Sequence, residues 1–181
     1  MTAKLKRGIT KVKDPGSALT HFIAMILAII AAIPLLSKAG HDSGHMRISA
    51  LAIFILSMIG LYAASTIYHT LDISPKINKL LRKIDHMMIF ILIAGTYTPV
   101  CMIVLGDKTG WTMLTLVWGI AIVGILINAL WITCPKWFSS LIYIAMGWVC
   151  ILAITKILSS MPRAGFMWLL AGGIIYTCLL Y

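Results

Sequence analysis

The sequence contains no glutamate, and its five acidic residues are all aspartates. Charged residues make up only 11% of the 181 residues, whereas hydrophobic residues make up 61%. A soluble domain carries about 25% charged residues, because its water-facing surface is built largely from polar side chains. This shortage of charge excludes an ordinary soluble domain. The composition therefore indicates an integral membrane protein.

Cysteine is scarce as well. The four cysteines, at positions 101, 134, 150 and 178, lie within or beside apolar runs, and no two of them form a C-x-x-C pair. This pattern argues against a disulfide framework or a zinc knuckle. It favours buried, reduced thiols.

Positive charge, by contrast, is in excess. The chain has 15 lysines and arginines and a net charge of +10. These residues cluster between apolar runs, so we expect them to contact lipid headgroups and to set the membrane topology rather than to bind nucleic acid. Membrane lipids are therefore the expected partners.

Six apolar runs approach the length of about 20 residues that a helix needs to cross the hydrocarbon core. The connections between them are short, so the sequence predicts an all-α, polytopic transmembrane bundle over residues 18–181. A basic segment at residues 1–17 precedes it. The predicted spans are residues 18–36, 48–69, 84–105, 111–133, 138–158 and 165–181.

The basic residues also predict an orientation. Ten of the 15 lie in residues 1–17 and in the loops that follow the second and fourth spans. Cytoplasmic loops are enriched in lysine and arginine, so we expect a multi-pass protein of the cell membrane with a cytoplasmic N-terminus. The sixth span stops at Tyr181 without a polar tail, which suggests an incomplete chain.

Several polar residues fall at one predicted depth. Ser65 and His69, in the stretch STIYHT, are four residues apart at the end of the second span and share one helix face. Asp85 lies in the first turn of the third span, at the same predicted end of the bundle. Ionisable residues inside a membrane are costly and commonly mark a site. We interpret His21, near the start of the first span, as a headgroup-level anchor, and His86 as a bystander.

A second histidine pair lies in HDSGH, where His41 and His45 have the spacing of two zinc ligands on a helix. We expect this stretch to be a solvated loop at the opposite end of the bundle. The hydrocarbon core, about 30 Å thick, would separate it from His69. The two groups should not share a metal.

Five pieces of the chain together resemble the hemolysin III family, the bacterial branch of the progestin and adiponectin Q receptor superfamily. The resemblance covers the chain from about Asp14 to its end. The combination of S-x-x-x-H, Asp-His and AGTYTP is the most specific part. The pieces are DPGSALTHFIA (14–24), ASTIYHT (64–70), KIDHMMIFILIAGTYTP (83–99), YIAMGWV (143–149) and GGIIY (172–176).

This resemblance implies a seven-span bundle with a zinc site at its cytoplasmic side. It places one zinc ligand on His69, the family's serine on Ser65, and the aspartate that holds the metal-bound water on Asp85. Two further histidines of the family, in an H-x-x-x-H on the seventh span, have no counterpart in these residues. The family usually has glutamate where this chain has Asp14.

The implied chemistry is metal-dependent hydrolysis of lipid amides or esters, because zinc with an open position lowers the pKa of its bound water to about 7. Asp85 would accept a proton from that water. Ser65 would hydrogen-bond the water or stabilise an oxyanion. Two other interpretations stay open. One is a non-enzymatic, pore-forming hemolysin, and the other is a receptor-like regulator of membrane state with structural zinc.

Overall fold

The structure is a computed structural model that describes residues 12–42, 44–130 and 136–180. Within these ranges the chain is helical and has no strand, which confirms the predicted all-α polytopic fold. A π-helix, Val100–Leu105, continues α3, and a 3-10 segment, Val149–Ala153, joins α5 to α6. The helices are α1 (Pro15–Asp42), α2 (His45–Thr70), α3 (Pro75–Pro99), α4 (Lys108–Leu130), α5 (Lys136–Trp148), α6 (Ile154–Ser160) and α7 (Arg163–Leu180).

The described helices overlap the predicted spans, and α3 begins at Pro75, nine residues before the predicted third span. Helix α7, with 18 residues, covers the sixth predicted span, whose crossing of the membrane stays a prediction. Residues 1–11 of the basic segment, and Cys134, lie outside the described residues. The other three cysteines are free, but only Cys101 is buried as expected, whereas Cys150 is half-buried and Cys178 is exposed. Five stretches are long and apolar enough to cross a membrane: Pro15–Gly40, His45–Thr70, Pro75–Leu105, Lys108–Leu130 and Ser139–Ser160.

Helix α1 is longer than the predicted first span. It continues through Gly40 to Asp42, since a glycine inside a helix costs only about 1 kcal/mol relative to alanine. Helix α2 then begins at His45. The solvated loop predicted around His41 and His45 is therefore wrong in extent, because only residues 43 and 44 separate the two helices. The His41 side chain lies outside the described part of the structure.

Helix α3 lies at the centre of the bundle and contacts α2, α4 and α5. In its apolar window 44% of the residues are buried, against 6% in the window of α1. Among the described residues, α1 packs only on α2. The core lies between α3, α4 and α5. Its most buried members include Phe90, Ala94, Cys101, Val117 and Met146.

The spans that flank the core are not regular throughout. Pro99 ends α3 and cannot donate a backbone hydrogen bond, and the π-helix follows it directly. Where α5 gives way to the 3-10 segment, the Tyr97 hydroxyl lies 2.9 Å from the Met146 carbonyl and 2.8 Å from the Gly147 carbonyl. The same oxygen accepts the Cys150 amide at 2.9 Å. Polar backbone groups at this irregular point therefore find a partner inside the protein, as a membrane interior requires.

Helices α1 and α2 run in opposite directions, and so do α3 and α4. The Asp14 amide, just before α1, donates to the His69 carbonyl near the end of α2 at 2.9 Å. The Lys83 ammonium in α3 donates to the Ala129 carbonyl near the end of α4 at 2.9 Å. The starts of α1 and α3 and the ends of α2 and α4 thus lie at one end of the bundle, which we call the site end.

Candidate functional site

Two helices meet at the site end through a histidine and a serine. His21 lies in the second turn of α1, and Ser65 lies in the last turns of α2. The His21 Nδ1 and Ser65 Oγ atoms are 2.5 Å apart, a short hydrogen bond whose donor depends on the histidine tautomer. Ser65 is 3% exposed. The hydroxyl is therefore held in a single environment, against one imidazole.

His69 lies one turn beyond Ser65 on the same face of α2. Its ring is 5.6 Å from the His21 ring, centroid to centroid, in an edge-to-face arrangement. Tyr62 lies one turn before Ser65 on α2, and its ring centroid is 6.0 Å from that of the His21 ring. The i, i+3, i+7 spacing of Tyr62, Ser65 and His69 along α2 thus places three side chains around His21 of α1.

Asp14 holds the other side of His69. Its Oδ2 atom lies 3.2 Å from His69 Nδ1 and accepts a hydrogen bond from the Ser17 hydroxyl at 2.8 Å. The hydrogen bond from Ser17, followed by the interaction with His69, holds the pKa of the Asp14 carboxyl below its ordinary value. Asp14 is therefore a carboxylate that fixes the orientation of the His69 imidazole.

Asp85 lies in the third turn of α3 and is only 9% exposed. It lies close enough to His21 for a Coulombic interaction, but no hydrogen bond or ion pair joins the two in the described part of the chain. Within the described part of the chain, no hydrogen bond or ion pair joins its carboxylate to Ser65 or His69. The structure thus brings Ser65 and His69 together around His21, with Asp85 as a buried charge near that histidine. The catalytic and metal-binding roles predicted for these residues stay predictions.

From the sequence, His21 is predicted to be a headgroup-level anchor, and Asp14 stands out only as a departure from the family's usual glutamate. The structure places both in direct contact with predicted site residues. A signal was present, because positions 14, 17 and 21 have the i, i+3, i+7 spacing of one helix face. That face carries the Ser17 hydroxyl and the His21 imidazole, with the Asp14 carboxylate just before its first turn.

The arrangement does not by itself complete a zinc site. Across residues 12–42, 44–130 and 136–180, no group of three or more histidine, cysteine or acidic side chains is placed to hold a metal ion. A catalytic zinc needs about three protein ligands. The Nδ1 atom of His69 faces Asp14, an arrangement that commonly orients a metal-binding histidine. The cluster therefore contains one suitably oriented imidazole but not the remaining ligands.

The fold and this cluster define a multi-pass helical membrane protein with an ionisable site at one end of its bundle. Sequence comparison defines the class further. The family described as "Haemolysin-III related" matches residues 9–179. The chain belongs to this hemolysin III family.

Two relatives support the assignment. Hemolysin-3 of Bacillus cereus is 39% identical over 178 residues, which are 98% of this chain and 81% of the relative. The Hemolysin-3 homolog of Bacillus subtilis (strain 168) is 36% identical over 165 residues, which are 91% of this chain and 77% of the relative. No solved structure matches the chain.

Proposed function

We propose that this protein is a membrane-embedded hydrolase of lipid esters or amides that acts at the cluster of His21, Ser65, His69 and Asp85. The observation that supports this function best is the 2.5 Å contact between the Ser65 hydroxyl and the His21 imidazole. A serine hydrogen-bonded to a histidine, with a further group acting on that histidine, is the arrangement that activates a nucleophile.

The reaction uses groups of this chain alone. Ser65 Oγ attacks the acyl carbonyl carbon while His21 Nδ1 takes the hydroxyl proton. His21 then gives that proton to the departing alcohol or amine as the bond between it and the acyl carbon breaks. Water hydrolyses the acyl-serine by the same route, with His21 again as the base. The Asp85 carboxylate stabilises the positive charge that His21 carries in between.

The position of the cluster suits an amphiphilic substrate. Ser65 and His69 lie in the last turns of a helix that spans the membrane, near the level where lipid ester and amide groups are found. A lipid acyl group could reach this level from the membrane without leaving it. The proposed substrates are therefore membrane lipids rather than soluble esters.

The test is covalent labelling of the purified full chain with a fluorophosphonate, followed by hydrolysis of a fluorogenic lipid ester. We expect labelling at Ser65, and a loss of both labelling and turnover in Ser65→Ala. Ser57→Ala is the matched control, because Ser57 is also buried on α2 but donates only to the Phe54 carbonyl. Labelling that persists in Ser65→Ala, or turnover within about twofold of the wild type, would contradict the nucleophile assignment.

Zinc is proposed separately, with His69 as one ligand, and no step above depends on it. If His69 binds zinc, the metal that co-purifies with the wild type is lost in His69→Ala and kept in His45→Ala, which changes a histidine at the opposite end of the bundle. Equal zinc content in all three proteins would show that His69 is not a ligand.

A second candidate function rests on the names of the relatives, both of which are called hemolysins. A protein that perturbs membranes would release a dye from liposomes, and Ser65→Ala would leave that release unchanged. A hydrolase would lose its effect on the same liposomes in the same variant. The two functions are therefore separated by one substitution.

A further inference from the structure

The first turns of α3 carry a cluster of positive charge that the proposed hydrolysis does not use. Lys76 and Lys79 are exposed, and Arg82 and Lys83 are half-buried. In the described part of the chain, none of these four side chains forms an ion pair with an aspartate. Lys83 instead donates to the Ala129 carbonyl. Among the described residues, the other three cations form no ion pair.

The aspartates at the site end cannot neutralise this cluster. Asp14 contacts His69 and Ser17, and Asp85 is buried. Asp72 is exposed and accepts a hydrogen bond from the neutral Asn78 amide at 2.6 Å, and its single negative charge offsets only one of the four cations. The start of α3 therefore keeps a net positive charge that an external anion can satisfy.

Apolar side chains are exposed directly beside these cations. Ile77, Leu80 and Ile84 are 40%, 56% and 37% exposed. At about 100° per residue, these three lie within about 60° of the helix circumference. The four cations, with Arg82 at the far edge, fill an adjacent arc of about 120° on the same helix. An apolar stripe next to a cationic stripe is typical of a segment that lies in the membrane interface.

The length of the third span places this surface at the headgroups. Pro75–Leu105 has 31 residues, which correspond to about 46 Å at about 1.5 Å per residue. The hydrocarbon core is only about 30 Å thick. The helix is therefore long enough for its first turns to reach the boundary between the headgroups and the acyl chains while the residues after Asp85 cross the rest of the hydrocarbon.

We infer that the start of α3 is a binding surface for anionic phospholipids, with Lys76, Lys79 and Arg82 on the headgroup phosphates and the stripe of Ile77, Leu80 and Ile84 against the acyl chains. Charge complementarity selects an anion. The adjacent apolar stripe selects a lipid over a soluble polyanion, which would leave that stripe in water. This inference does not depend on the proposed hydrolysis.

The test uses the purified full chain in mixed micelles that contain equal amounts of phosphatidylglycerol and phosphatidylcholine. Mass spectrometry gives the ratio of the two lipids that stay bound. We expect phosphatidylglycerol to be enriched on the wild type, and the enrichment to fall as salt concentration rises. Each cation removed in Lys76→Gln, Lys79→Gln and Arg82→Gln should lower the affinity for phosphatidylglycerol about fivefold.

Two matched variants test whether lipid binding depends on the cations of α3 or only on the total charge of the protein. A triple variant with Lys38→Gln, Lys108→Gln and Arg163→Gln removes the same charge from exposed cations at the opposite end and should keep most of the enrichment. Lys76→Arg with Lys79→Arg keeps the charge and should also keep the enrichment. An unchanged ratio in the α3 triple variant, or an equal loss in the opposite-end variant, would overturn the inference.

Discussion

Replacing Tyr97 with phenylalanine tests how the irregular point in the fifth span is held. The substitution removes one oxygen and leaves the ring in the core. In the structure that oxygen lies 2.9 Å and 2.8 Å from the Met146 and Gly147 carbonyls and 2.9 Å from the Cys150 amide nitrogen. It therefore links α3 to the segment where α5 changes into a 3-10 helix.

The size of the effect follows from counting these bonds. One hydroxyl donates a single proton, shared here between two carbonyls, and accepts one bond from the Cys150 amide. A hydrogen bond contributes about 0.5–1.5 kcal/mol net to stability, and side-chain bonds inside membrane proteins average about 0.6 kcal/mol. Loss of both bonds from Tyr97→Phe should therefore lower the free energy of unfolding by about 1–3 kcal/mol.

The assay is reversible unfolding in mixed micelles of a mild detergent and dodecyl sulfate, followed by tryptophan fluorescence. Tyr176→Phe is the matched comparison. The Tyr176 hydroxyl is buried and has no hydrogen-bond partner among the described residues. Because burying an unpaired polar group is unfavourable, deleting this oxygen should leave stability unchanged or raise it.

The two variants delete the same atom from the same residue type, so their difference isolates the hydrogen bonds. If Tyr97→Phe and Tyr176→Phe change the free energy of unfolding equally, the bonds of Tyr97 do not stabilise the bundle. The Tyr97 hydroxyl would then not be what holds the irregular point of the fifth span.

Two further predictions concern the turn at the opposite end. Gly110→Ala should destabilise the protein by about 1–3 kcal/mol in the same unfolding assay, because the new Cβ would meet the Cys101 carbonyl group, whose carbon would lie at 3.2 Å. Gly119→Ala, with no atom within 4 Å of the new Cβ, should be neutral or stabilising. The hydrogen bond from Lys156 lowers the pKa of Asp107 below 3.8, so the pair stabilises the fold above about pH 4 and less as the pH falls. Asp107→Asn should flatten that pH dependence of the unfolding free energy. A pH dependence that is the same in Asp107→Asn as in the wild type would contradict this stabilising role of the Asp107–Lys156 pair.

The helical spans could be predicted because a membrane imposes a length on every crossing segment. The departures from regular helix, the π-helix Val100–Leu105 and the 3-10 segment Val149–Ala153, could not be predicted in this way. The 3-10 segment that follows Trp148 lies where Tyr97 bonds the backbone, and that tyrosine is about 50 residues away in sequence. Hydropathy along one span carries no information on such a contact. A proline alone does not determine the π-helix after Pro99 either.

The site could be predicted only within single helices. Ser65 and His69 share a face because of their spacing, and this needs no knowledge of neighbouring helices. The partnership of His21 with Ser65 depends on how α1 is rotated against α2. Between Phe22 and Leu36 helix α1 is wholly apolar, so only the polar positions at its start, 14, 17 and 21, bear on that rotation. Asp85 could be assigned to the right end, but its distance from the other groups depends on the packing of α2 on α3.

Lys13 and Asp14, the two residues just before α1, connect the basic N-terminal segment to the end of α2. The amides of Lys13 and Asp14 donate to the carbonyls of Thr70 and His69, and the Lys13 ammonium lies 3.6 Å from the centre of the Tyr68 ring. A force on the basic N-terminal segment would be transmitted through these contacts to the end of α2. Movement of that segment toward or away from the bilayer surface would therefore also reorient the His69 imidazole.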